Sequence, residues 1–176
     1  MIIMKKFFSF SILSAFLFIA ITACGQQDKS KRPSPPAKVS ANVGAATVSI
    51  DYSQPSLKGR TIGKDVEPMD GQVWRAGANE ATVFETSKAI KVNGKDLPAG
   101  KYGLYMISGS GDWTVIFSKN WNTWGTNYAE KDDALRVPAK ATTASSSADR
   151  LTYTIDKSGK VQLHWGNKVV EFNVAG

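Results

Sequence analysis

The sequence predicts an all-β protein, an antiparallel β-sandwich of jelly-roll type, with a closed β-barrel as the alternative. From residue 48 onward, apolar and polar residues alternate with a period of two through most of the chain, as in half-buried strands. Turn signals rich in Gly, Asn, Asp and Pro separate these stretches. No part of the chain from residue 48 onward shows a convincing helical periodicity.

The alternating stretches follow one another at short intervals. The first runs over 48–53, the next contains Val83 and Phe84, and Asn93-Gly94 after Ile90 is a type I′ hairpin signal. Further strands are predicted at 102–107, 113–117, 135–137, 151–155, 161–165 and 168–174. Pro138 is expected to end a strand, 139–149 to be a low-complexity loop or a poorly ordered strand connection, and Gly166-Asn167 to be a turn.

The N-terminus has the pattern of a bacterial lipoprotein signal peptide. Lys5 and Lys6 precede an uncharged apolar run of 17 residues, 7–23, which is marginally short for a membrane span. The run ends in Ile21-Thr22-Ala23-Cys24, similar to a lipobox, whose cysteine takes a lipid. We therefore expect residues 1–23 to be removed and Cys24 to be lipidated; an ordinary cleaved signal or an uncleaved anchor remains the alternative.

Residues 24–46 are rich in Pro, Ser, Lys and Gly, which predicts a flexible tether before a single domain at 47–176. From residue 48 onward, 16 Lys and Arg face 14 Asp and Glu, a net charge of +2, so most of the chain's +7 lies outside the domain. No basic patch is evident, and a nucleic-acid partner is not expected. We expect the protein to be located in the cell envelope, where the lipid on Cys24 is its contact to the membrane. The outer membrane is favoured because no aspartate follows Cys24.

The residues that most metal or nucleophilic sites require are scarce. His164 is the single histidine and Cys24 the single cysteine, so no zinc site is expected. No calcium loop, phosphate-binding loop or G-x-S-x-G elbow is present. We predict no metal, no cofactor and no assigned catalytic residue.

The segment VWRAGANEAT, residues 73–82, concentrates polar side chains in a turn between two strands. Arg75 and Glu80 are expected either to form a half-buried pair that holds the loop or to bind a ligand. In the second reading Arg75 captures an anionic or polyhydroxy ligand, Asn79 and Glu80 orient it, and Tyr52 or Trp74 stacks on it. Gly77 is expected to supply a positive φ, and the loop 53–60 is conjectured to lie nearby.

Two further constellations are open. Glu80 and Asp51 are candidates for the acid and base pair of a hydrolase that acts on envelope carbohydrate or peptide with the help of Arg75. Trp121 and Trp124, in a loop beside amide side chains, suit a sugar face or a protein partner, or simply cover one end of the sandwich.

Four segments, 48–60, 73–82, 92–107 and 113–125, together resemble an uncharacterised bacterial envelope protein family catalogued as domain of unknown function twenty-nine eleven. The likeness covers nearly all of residues 48–174. It implies a secreted or lipid-anchored β-rich domain, and it brings no established activity. The function expected first is non-catalytic binding of a ligand, such as a carbohydrate, or of an envelope protein partner. The hydrolase and a purely structural envelope protein are the alternatives.

Overall fold

The computed structural model describes residues 28–176. The predicted signal peptide and the expected lipidation of Cys24 lie outside the described residues. Within them no helix is long and apolar enough to cross a membrane; the helical elements there are two single 3-10 turns, Lys29–Lys31 and Glu130–Asp132.

Ten antiparallel strands make up the described part of the chain, which confirms the all-β prediction. They are β1 Pro36–Val43, β2 Ala46–Ser53, β3 Val73–Trp74, β4 Thr82–Thr86, β5 Ile90–Val92, β6 Lys95–Leu97, β7 Gly100–Ile107, β8 Trp113–Ser118, β9 Asp133–Ile155 and β10 Lys160–Ala175. Hydrogen bonds connect them in the order β1-β2-β4-β7-β8-β9-β10-β5-β6, and β3 pairs with β7.

Strand β9 joins the two halves of this sheet. Its first residues pair with β8, and from Lys140 onward it pairs with β10. The two halves pack on each other, because Phe117 of β8 and Phe172 of β10 stack edge to face at 6.0 Å between ring centroids. Tyr52 of β2 meets Tyr153 of β9 in the same way at 4.8 Å. This is the predicted sandwich, and in the described residues the sheet does not close into the alternative barrel.

The core lies between the halves and contains the inward-facing residues of every long strand. The alternation from which the strands were predicted is visible as alternate burial, for example near the end of β9, where Leu151 and Tyr153 are buried and Thr152 and Thr154 are exposed. The hairpin between β5 and β6 turns at Asn93-Gly94 with φ of 45° and 81°, which confirms the type I′ signal.

The flexible tether predicted for 24–46 is wrong over Pro36–Val43. These residues form β1, which pairs with β2 along its whole length, from Pro36 opposite Ser53 to Val43 opposite Ala46. Ala37, Val39, Ala41 and Val43 alternate with polar residues, so period two is present there beneath a composition typical of linkers. The domain therefore begins before residue 47.

The strand end predicted at Pro138 and the turn predicted at Gly166-Asn167 are also wrong, and residues 139–149, expected to be a loop or a poorly ordered strand connection, continue strand β9. Residues 140–143 of β9 pair with 168–171 of β10, despite a Ser/Thr-rich sequence. Gly166 has a φ of 59°, and the register of β10 against β9 shifts on either side of it. Gly166 lies at an irregularity of the ladder, where the two steps along β10 from Gly166 to Lys168 face five steps along β9 from Ala148 to Thr143, and neither strand ends there.

Candidate functional site

The segment between β3 and β4, residues 75–81, is held in an unusual backbone conformation. Ala76 and Asn79 have positive φ values of 49° and 60°, whereas Gly77, the residue predicted to need one, does not. Gly77 is small for another reason, since a Cβ there would lie 2.6 Å from the Thr82 hydroxyl and 3.3 Å from the Ser53 carbonyl. The Ala76 carbonyl is fixed by the hydroxyls of Tyr153 and Thr82, which donate at 2.8 Å and 3.2 Å.

Glu80 does not pair with Arg75, contrary to the prediction. Its two carboxylate oxygens accept hydrogen bonds from Arg32, both at 3.0 Å, and its Oε1 lies 2.9 Å from the Lys29 ammonium. Burial alone would raise the pKa of Glu80, but hydrogen bonds from Lys29, from its own backbone and from Arg32 lower the pKa to about 2. Glu80 is therefore a carboxylate at neutral pH and a poor general acid.

The segment joins two other parts of the chain by further hydrogen bonds. The Asn79 side chain donates to the Ser34 carbonyl at 3.1 Å, and its own carbonyl accepts from Gly125 N–H at 3.1 Å. Ala81 N–H donates to the Thr123 carbonyl at 3.1 Å. The structure thus supports a holding role for this segment. Its hydrogen bonds hold the N-terminal residues 28–35 and the tryptophan loop, residues 121–125.

Glu80 and Asp51 line the same hollow, of about 180 Å³, together with Lys29, Arg32 and Tyr52. Asp51 is bound to a cation of its own, because Lys38 of β1 lies 2.9 Å from its Oδ2. Tyr52 is 6 % exposed. Its hydroxyl accepts a hydrogen bond from Tyr153 N–H at 3.2 Å, so the ring serves the core and offers little stacking face.

Arg75 lines a second hollow, of about 210 Å³, on the other side of the segment. Arg60, Trp74 and Trp165 line it too, and Arg60 comes from the loop that the sequence analysis placed nearby. Trp74 is 2 % exposed, so its ring offers little area on which a ligand could stack. The Nε of Arg75 is buried, and neither a hydrogen bond nor an ion pair is found for its guanidinium within residues 28–176.

The position of the Arg75 side chain requires a residue without a Cβ at position 125, which is glycine. A Cβ on Gly125 would collide with the Arg75 Cδ and would lie 2.8 Å from the Asn79 carbonyl. The charge of Arg75 also reaches Tyr105, although burial of that phenol dominates and raises its pKa. The tryptophan loop therefore covers the stem of Arg75.

The two loop tryptophans have different surroundings. Trp124 is 50 % exposed, the one large hydrophobic side chain so exposed in residues 28–176. It is bridged to Glu80 in antiparallel fashion, and opposite residues of such a pair project from the same face. Trp121 is half-buried, with the Lys101 ammonium 5.1 Å from its ring centroid, a cation–π contact.

Several residues of this region were not predicted. Lys29, Arg32 and Ser34 were assigned to the tether, and no local pattern marks them as partners of a loop about 45 residues later. Elsewhere, Tyr128 donates to Asp133 at 2.9 Å and accepts from Arg136 at 2.6 Å. Burial and the Asp133 carboxylate raise the pKa of Tyr128 to about 12. No group of three His, Cys, Asp or Glu that could hold a metal is found in the described range.

One known protein family matches most of this chain. The family described as Protein of unknown function (DUF2911) matches residues 34–174, which is β1 to nearly the end of β10. The chain belongs to this family. No curated protein and no solved structure matches it.

Family membership confirms the resemblance found from the sequence and assigns no activity to any residue. All eight residues predicted to bind a ligand lie inside the matched range, whereas Cys24 lies before it. Lys29 and Arg32, the partners of Glu80, lie just before it.

Proposed function

We propose that this member of the family is a lipid-anchored protein of the cell envelope that binds an anionic or polyhydroxy ligand without catalysis. The ligand would occupy the hollow that Arg75 lines. A sugar bearing a carboxylate, such as a peptidoglycan fragment, has this chemistry. The lipobox-like residues Ile21-Thr22-Ala23-Cys24 support the anchor.

The observation that carries the binding proposal is the state of the Arg75 guanidinium. Arginine carries five N–H donors and is always charged, and a buried N–H donor without a hydrogen-bond partner costs free energy. Arg75 lacks a protein partner within residues 28–176, and it lines a hollow with Arg60 beside it. The neighbouring Arg60 donates to the Leu57 and Ser56 carbonyls, so Arg75 is the cation left to meet a ligand.

The hydrolase alternative fits less well. It needs a protonated carboxyl near neutral pH, and the pKa of Glu80 is about 2. Glu80 and Asp51 are each held by a lysine or arginine, so a substrate would have to displace these partners. A purely structural role leaves the open donors of Arg75 without a purpose.

The test is thermal unfolding of the full-length protein with peptidoglycan fragments and, separately, neutral oligosaccharides. A ligand at about 100 times its Kd stabilises the folded state by about 2.7 kcal/mol, a rise of roughly 5–10 °C for a domain of this size. We expect an anionic fragment to shift the wild type and Arg150→Ala, because Arg150 is exposed and does not line the hollow. Arg75→Ala should not respond.

The ligand-induced shift is compared within each protein, because loss of the Arg75 stem lowers the midpoint by itself. An equal shift in Arg75→Ala would place the binding site elsewhere. No shift in the wild type with any member of the panel would count against the proposed ligand class.

A further inference from the structure

The N-terminal residues 28–35 are fastened to the domain, although their composition is that of a linker. Arg32 donates hydrogen bonds to both carboxylate oxygens of Glu80, and Lys29 forms an ion pair with the same carboxylate. The Ser34 carbonyl accepts a hydrogen bond from the Asn79 side chain. Asp28 caps the 3-10 turn Lys29–Lys31 by accepting from Ser30 N–H at 3.0 Å. We call this set of contacts the Glu80 clamp.

The clamp shortens the free chain between the proposed lipid and the domain. Lys29 is five residues after Cys24, and Pro36, where β1 begins, is 12 residues after it. A fully extended chain spans at most about 3.6 Å per residue. The clamped chain therefore reaches no more than about 18 Å, whereas a chain free up to β1 would reach about 43 Å.

The surface next to the clamp has the composition of a membrane-contacting face. Trp124 lies beside Glu80 and is 50 % exposed, and tryptophan is enriched where proteins meet the headgroup region. The Lys29 and Lys31 side chains are 51 % and 84 % exposed. Lysine side chains close to a membrane surface are attracted to its anionic headgroups.

We propose that the clamp holds this end of the domain against the bilayer, with Trp124 and the Lys29–Lys31 turn in contact with anionic phospholipid headgroups. This inference rests on the lipid anchor of the proposed function. It assigns Glu80 and Arg32 a role in orientation: they decide which end of the sandwich faces the membrane. The opposite end, with the β1–β2 turn at Gly44-Ala45, then points away from it.

The test uses the full-length lipidated protein in vesicles of phosphatidylethanolamine and phosphatidylglycerol that contain a headgroup-quencher lipid. A fluorophore is placed on Asn122→Cys, an exposed position in the tryptophan loop that leaves Trp124 intact, or on Ala45→Cys, exposed at the far end of β1. We expect several-fold stronger quenching at position 122 than at position 45. Equal quenching, or stronger quenching at 45, would overturn the proposal.

Glu80→Gln in the Asn122→Cys background tests the clamp itself. Removing the charge should free the N-terminal segment and reduce the quenching at least twofold, whereas Glu85→Gln, whose Lys101 pair is 3.7 Å long, should leave it unchanged. Unchanged quenching in Glu80→Gln would refute the role of the clamp. Thermal unfolding of each variant checks that the domain remains folded.

Mass spectrometry of the N-terminal peptide separates this inference from the proposed function. An unacylated Cys24 would overturn both the anchor and the orientation. An acylated Cys24 with equal quenching at the two positions would overturn the orientation alone. A fluorophore response at 122 that depends on protein concentration without vesicles would mean that a second copy covers the face, which also refutes the proposal.

Discussion

Single residues in 73–82 illustrate how far local sequence determines a partner. Arg75 and Glu80 are five positions apart and opposite in charge, yet the carboxylate binds Lys29 and Arg32. The backbone turns at Ala76 and Asn79 set the two side chains to line different hollows. Proximity along the chain therefore predicted that Glu80 would be paired, but it did not predict that Lys29 and Arg32 would be its partners.

The lowered pKa of Glu80 predicts a pH-dependent stability. A carboxyl whose folded pKa is about 2 against an ordinary 4.5 stabilises the fold above pH 4.5, and this contribution is lost as the pH falls through 2. Because the Glu80 side chain is 37 % exposed, solvent screening limits the contribution to about 1 kcal/mol. Urea unfolding of wild type and Glu80→Gln should differ by about that amount at pH 7 and converge near pH 2.

Glu85→Gln is the matched control for this measurement, because the Glu85 side chain is about as exposed as that of Glu80, 40 % against 37 %, and its ion pair with Lys101 is longer at 3.7 Å. Its difference from the wild type should be smaller at pH 7. A difference between wild type and Glu80→Gln that stays constant from pH 7 to pH 2 would contradict the prediction.

At the scale of elements, β9 shows where periodicity is an incomplete guide. Residues 140–149 are mostly Ala, Ser and Thr, with little contrast between apolar and polar positions, so no period of two is visible. Residues 140–143 nevertheless form a regular ladder, because 168–171 of β10 pair with them. Hydrogen bonding to a neighbouring strand is a tertiary property, and it outweighs weak local preference here.

Amide hydrogen exchange tests this pairing. Amides that are hydrogen-bonded in the ladder between 140–143 and 168–171 should exchange much more slowly than those of the exposed turn 109–112. Mass spectrometry of the deuterated protein, digested into peptides, resolves the two regions. Exchange in 140–143 as fast as in 109–112 would restore the loop that composition suggested.

For the molecule as a whole, the decisive feature is where the domain begins. Strand β1 covers the edge of β2 over eight residue pairs, and without it β2 would present unpaired backbone groups and become an edge strand. Residues 28–35 add the clamp on Glu80.

Truncation at two positions checks this boundary. A chain beginning at residue 28 should unfold cooperatively, and its midpoint should equal that of the protein with the intact N-terminus. A chain beginning at residue 46 lacks β1 and should lose several kcal/mol of stability and tend to aggregate through β2. Calorimetry and light scattering measure both properties, and equal midpoints for the two truncations would show that β1 is dispensable.

The sequence by itself determined the all-β class, most strands and the Asn93-Gly94 hairpin, because these depend on a period of two and on local backbone chemistry. It also marked 73–82 as a polar junction. Only the tertiary structure decided that Pro36–Val43 is a strand, that Glu80 binds Lys29 and Arg32, and that Arg75 lines a hollow with Arg60. Those contacts join segments far apart in the chain, and the fold, not local preference, brings such segments together.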